Sequence, residues 1–133
     1  MTDEMEPKLR YKTAMATMKS RYIPIRTKGC IQTRPGYVFD VYSEGIPLQV
    51  GVIKTGKVWI VIDLNTGHCI SKQVHKTRKA ALETFFNTHE FRSWLRIVTD
   101  SKTTFGKDWY ARESEKFFSE CRAAGYRTVN VYD

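Results

Sequence analysis

No stretch of this 133-residue chain carries the eighteen or so consecutive apolar residues that a membrane-crossing helix needs. The first residues, MTDEMEPK, lead into no apolar segment of the kind that directs secretion, so the sequence reads as a soluble, cytoplasmic protein. Cysteine is scarce. Cys30, Cys69 and Cys121 are odd in number, far apart and without a CxxC pair, which argues against a disulfide framework and against a zinc knuckle. Cys69 beside His68 lacks two further ligands. Asp40, Asp63, Asp100 and Asp108 have no spacing suited to a pair of metals, and no glycine-rich phosphate loop is present. The expectation is therefore no metal and no cofactor. Acidic residues are also short, 14 against 22 lysines and arginines, for a net charge of +8.

Such a balance favours an anionic partner, whether nucleic acid or an acidic protein surface. The charge is uneven. Residues 1–34 carry eight basic and three acidic residues, 35–71 two and three, and 72–133 twelve and eight. Hydrophobic residues make up 41% and aromatics 13%, enough for a packed core, and no repeat or low-complexity run appears. The chain reads as one α+β domain spanning 1–133.

The nearly neutral middle is an antiparallel meander of four strands, at about 36–42, 47–54, 57–64 and 68–75. Turns at SEGI, KTGK and LNTGH, each holding a glycine, separate them. A Glu44-Gly45 loop pairs Val41 with Leu48, Phe39 with Val50 and Tyr37 with Val52. A Thr55-Gly56 loop then pairs Val52 with Trp59 and Val50 with Val61. One face is thus aromatic and aliphatic, with Tyr37, Phe39 and Trp59 able to serve as core or as a stacking interface. The other collects Val38, Ile53, Val58, Ile60, Ile62, Leu64, Ile70 and Val74.

Helices must cover these faces. Residues 6–22 place Tyr11, Ala14, Met15, Met18 and Tyr22 on one helical stripe. Thr77 caps a helix with Ala81, Leu82, Phe85 and Phe86 inward, and Thr88 caps a second with Phe91, Trp94, Leu95 and Val98 inward. Residues 107–124 form another, with Tyr110, Phe117, Phe118, Cys121 and Ala124 aligned and Gly125 as its stop. Residues 126–132 suit a closing strand.

The segment SKQVHKTRKAALETFF concentrates the functional signal. Lys72, His75, Lys76, Arg78 and Lys79 gather where a strand gives way to a helix N-terminus, whose free N–H groups already favour an anion. With Lys8, Lys12, Lys19 and Arg21 of the N-terminal helix they form the expected phosphate-binding set of a non-enzymatic nucleic-acid binder. Two alternatives stand beside it. One is a small protein-binding module or inhibitor, of the phage or plasmid kind, docking on an acidic partner. The other is a small ribonuclease using His68, His75 or His89 with Lys72, Lys76 or Arg78.

Trp59, Asp63, Thr66, Gly67, Thr77 and Ala81 follow an order that resembles the three-stranded-sheet-plus-helix modules of DNA-binding domains, such as the arm-binding domain of phage integrases. The resemblance implies a helix on one sheet face and the other face in a DNA major groove. The apolar second face departs from that pattern.

Overall fold

The computed structural model describes residues 18–43, 46–71, 73–87, 93, 94, 96, 98 and 107–127, with the side chains of 40–48, 107 and 108 set aside. Four antiparallel strands form one sheet in chain order: β1 Lys19–Thr27, β2 Cys30–Ser43, β3 Ile46–Thr55 and β4 Val58–Asp63. Two helices follow, α1 Arg78–Asn87 and α2 Lys107–Ala123. Residues 93, 94, 96 and 98 are also helical, with Trp94 and Val98 buried as their spacing predicts. The class is α+β, with the meander shifted one strand toward the N-terminus.

That shift corrects the N-terminal helix over its last residues. Lys19 to Tyr22 are strand, paired with Val38 to Pro35. Tyr22 keeps a ring 73% exposed. Ile23 and Ile25 alternate at the two-residue period, and Pro24 has no N–H to extend a helix, so the local pattern is an edge strand. The remainder of the expected helix, with Lys8 and Lys12, lies outside the described residues.

The β2–β3 register is the expected one, with Val41 opposite Leu48, Phe39 opposite Val50 and Tyr37 opposite Val52. The β3–β4 register is displaced by two. Val52 faces Val61, Lys54 faces Trp59 and Thr55 faces Val58. The turn is therefore Gly56-Lys57, with Gly56 at φ 64°. The expected register would have set Lys54 against Lys57, and the observed one gives Lys54 an aromatic neighbour instead. A slip of two leaves every side chain on its face.

The expected strand at 68–75 is not regular over its described residues, 68–71 and 73–75. They run along β4 and touch it by bridges from Cys69 to Ile62 and from His75 to Trp59. Between these points Ile70 N and Ser71 N both donate to Val61 O, while Ser71 Oγ accepts from Val61 N. Two residues thus oppose one, which breaks the alternation. The pairing of Cys69 with Ile62 sets Ile70 opposite Val61, so Ile70 packs with Phe39 and Val61 rather than with Ile53, and Val74 stands 61% exposed.

Two apolar clusters occupy the two faces. Phe39, Val50, Val52 and Val61 meet Ala81, Leu82, Phe85 and Phe86 of α1, together with Trp94 and Val98. Ile23, Ile25, Val38, Ile53, Ile62 and Leu64 form the other. This second cluster is covered by the curl of the sheet. In a flat four-stranded sheet β1 and β4 would lie about 14 Å apart. Yet Arg26 Nε of β1 donates to Thr66 O just beyond β4 at 3.0 Å, and its Nη1 meets Glu120 Oε2 of α2 at 2.7 Å. The β1–β2 hairpin therefore bends back over the concave face.

Two glycines permit the bend. A Cβ on Gly36 would overlap the Val52 carbonyl oxygen, and one on Gly51 would sit 3.0 Å from Leu64 Cδ2 and 3.2 Å from Ile23 Cδ1. The resemblance to DNA-reading sheets fails at this point, because Ile23, Val38, Ile53 and Ile62 on the face that should enter a groove are buried. Helix α2 ends with Gly125 N donating to Arg122 O and Tyr126 N to Cys121 O, the paired bonds of a glycine-terminated helix. Its inward side chains include Phe117 and Cys121, whereas Ala124, expected inward, is exposed. Tyr126 and Arg127 are irregular, and the rest of the expected closing strand lies outside the described residues.

Replacing Gly36 by Ala forces backbone against backbone at the bend. The expected loss of stability is about 1–3 kcal/mol, read by chemical denaturation.

Candidate functional site

Thr77 sets the start of α1. Its Oγ1 accepts from Ala80 N at 3.0 Å and its carbonyl from Ala81 N at 3.1 Å, which defines the N-cap. Arg78 and Lys79 then occupy the first two helical positions, and no acidic residue stands in that first turn. Just upstream, His75 N and O exchange hydrogen bonds with Trp59 O and N at 3.1 and 2.7 Å. This fixes the junction against the β3–β4 hairpin.

The electrostatic liability of Arg78 is met by an aromatic ring. Its guanidinium carbon lies 4.2 Å from the centroid of Tyr37, over the ring face. The ring's negative quadrupole offsets the unfavourable helix dipole. Tyr37 in turn stacks on Trp59, with centroids 6.2 Å apart and planes at 27°. Trp59, Tyr37 and Arg78 thus form a three-layer ladder at the corner where β4, β2 and α1 meet. Both rings are partly buried against the α1 cluster, while Phe39 is fully buried within it. Of the three aromatics expected at an interface, Phe39 is core and the other two form its rim.

Cations surround this corner. Lys76 and Lys79 are exposed, and Lys79 Nζ lies 3.9 Å from Glu83 Oε1 one turn along. Lys54 is exposed opposite Trp59, and Lys57 is exposed in the turn beside it. Residues 52–59 and 73–80 together hold Lys54, Lys57, Lys76, Arg78 and Lys79 and no acidic residue. Lys54 and Lys57, carried by the KTGK turn, are additions to the expected set. The missing information was register, which places that turn against His75.

Other expected members do not join the corner. Lys19 and Arg21 pair with Val38 and Gly36, so their side chains leave the sheet on the face opposite Tyr37. Lys72 and His89 lie outside the described residues. His68 is bonded to β4 at Asp63 and His75 at Trp59, four strand residues or about 13 Å apart. His68 Nε2 instead meets Glu113 Oε2 of α2 at 3.0 Å and stacks on Trp109. That hydrogen bond holds the Glu113 carboxyl below its ordinary range. His75 Nε2 is buried and has no hydrogen-bond partner among the described residues. Among the described residues no three histidine, cysteine or carboxylate side chains converge on a metal position.

A second polar cluster lies at the other end of β4. Asp63, 1% exposed at the end of β4, accepts from Trp94 Nε1 at 2.9 Å, Tyr110 Oη at 2.8 Å and its own turn at Asn65 N, 2.7 Å. Asn65 Nδ2 also reaches Tyr110 Oη. One carboxylate thereby ties the sheet to α2 and to Trp94. Burial raises its pKa to about 6 despite these donors, which pull the other way. Burial, then the facing Asp63 charge, pushes the Tyr110 phenol upward, so it remains a donor. The signal in the sequence was a lone aspartate between a strand and an Asn-Thr-Gly turn, which reads only as a turn residue.

The chain matches no protein-family model, no curated protein and no solved structure.

The raised Asp63 pKa has a defined consequence for stability. The folded state holds this proton up to about pH 6, and the unfolded chain releases it near 3.8. Folding therefore takes up a proton between these values, and the contribution of Asp63 becomes more favourable as pH falls from 7 to 4, by about 2 kcal/mol. The difference in unfolding free energy between wild type and Asp63→Asn should rise in that direction. A pair of denaturation curves at pH 7 and pH 4 measures it, and an unchanged or reversed difference contradicts the assignment.

Proposed function

We propose that the protein is a non-enzymatic nucleic-acid-binding protein that engages phosphates at the β4-to-α1 corner. The observation that carries this reading is the ladder of Trp59, Tyr37 and Arg78 set among Lys54, Lys57, Lys76 and Lys79 with no acidic residue in the flanking segments. Packing on Tyr37 pre-orients the guanidinium, and a planar fork held in place loses less freedom on meeting a phosphate. The amides that open α1 add donors toward the same side. Phosphate contacts of this kind position a polymer without reading its sequence.

The setting is cytoplasmic in this reading. Cys30 and Cys69 are exposed free thiols, a state that persists in a reducing compartment. No helix among the described residues is long and apolar enough to cross a membrane.

Binding is expected to weaken steeply with salt, because each neutralised phosphate releases counterions. Changing Lys76, Arg78 and Lys79 together to Gln should lower affinity for a fluorescent oligonucleotide by at least about tenfold and reduce the log–log salt slope by about 2–3. Lys19→Gln with Arg21→Gln, on the opposite face, should change it by less than about threefold. Anisotropy titrations at several salt concentrations make both comparisons. Equal losses from the two sets of changes would remove the corner from the account.

A further inference from the structure

The same corner carries a preference between forms of nucleic acid, and this step rests on the nucleic-acid reading above. We propose that it takes an unpaired strand, with a base laid on the Trp59–Tyr37–Arg78 ladder and the flanking phosphates on Lys54, Lys76 and Lys79.

The ladder is built of flat groups in sequence, two rings at 27° and a guanidinium over the Tyr37 ring. A duplex shields its base faces from such a surface and presents mainly phosphates. An unpaired base offers its π-face, which any aromatic or guanidinium plane can cover without regard to sequence. Arg78 has capacity for this. Among the described residues its guanidinium forms no hydrogen bond or ion pair beyond its contact with Tyr37, leaving its five N–H donors for a phosphate or base edge.

The cations are arranged around the ladder instead of over it: Lys54 pairs with Trp59 in the sheet, Lys57 sits in the adjoining turn, and Lys76 and Lys79 flank Arg78 in the chain. This is the composition of a strand-tracking groove, aromatic faces for bases with cations alongside for the backbone.

The concave face offers no competing surface for a duplex, since Ile23, Val38, Ile53 and Ile62 are all within 1% of complete burial there. A major-groove element of sheet type would need that face open.

The test compares one oligonucleotide, single-stranded, with its own duplex at the same ionic strength, on wild type, Trp59→Leu and Tyr37→Leu. Wild type should bind the single strand at least about tenfold more tightly. Each substitution should remove about tenfold from single-strand affinity while leaving duplex affinity nearly unchanged. Because either substitution could loosen the fold, Trp59→Phe provides a second readout: single-strand binding should quench wild-type tryptophan emission, and most of that quenching should vanish in Trp59→Phe. Equal affinity of wild type for both forms, or quenching that survives in Trp59→Phe, overturns the inference and leaves phosphate binding standing. Failure to bind either form overturns the reading beneath it.

Discussion

The curl of the sheet is the constraint on which the other features depend. A flat four-stranded sheet with apolar residues on both faces would need two covering layers. By bending at Gly36 and closing Arg26 onto Thr66, the β1–β2 hairpin covers the concave face with the sheet's own isoleucines and valines. Among the described residues, α1, Trp94 and Val98 pack on the other face. Arg26 secures the closure twice over, lying against the Phe117 ring and bonding Glu120 of α2, so the hairpin and the last helix brace each other.

Helix α1 covers only part of the convex face. Its four buried side chains lie over Phe39, Val50 and Val61, and the cover ends at its capped N-terminus. Tyr37 and Trp59, one step farther along their strands, fall at that margin. The location of the helix start therefore decides which aromatics are core and which are rim. Thr77 fixes that start, and the His75–Trp59 exchange fixes where Thr77 lies. The Asp63 cluster anchors the opposite end of β4, so the two ends of one short strand hold a structural tie and a cationic corner.

Much of this was legible in the sequence, because local chemistry specified it. The Thr77 cap, the inward residues of α1, Phe117 and Cys121 of α2, the Gly125 stop and the β2–β3 pairing all follow from spacing within a few residues. Misreadings arose where two periods overlapped or where register was long-range. Met18 and Tyr22 satisfy a helical stripe while Ile23 and Ile25 satisfy a strand, and pairing with β2 decided between them. The turn after Asp63 holds four residues, Leu64 to Gly67, instead of the expected three, and that change of one in register turned Ile70 to the other face. Arg78 was placed correctly in the chain, but its stacking on Tyr37 joins residues far apart in sequence. The same is true of Asp63 with Trp94 and Tyr110, which only the folded chain brings together.

The central claim is that the corner of Trp59, Tyr37 and Arg78 is the surface that meets nucleic acid. The most direct measurement is an amide and indole NMR titration of the full chain with a short single-stranded oligonucleotide. The account predicts the largest shifts at the Trp59 indole, the amides of Arg78 to Ala80 and the Gly56-Lys57 turn. Shifts concentrated instead on the exposed cations of α2, Arg112, Lys116 and Arg122, would contradict it.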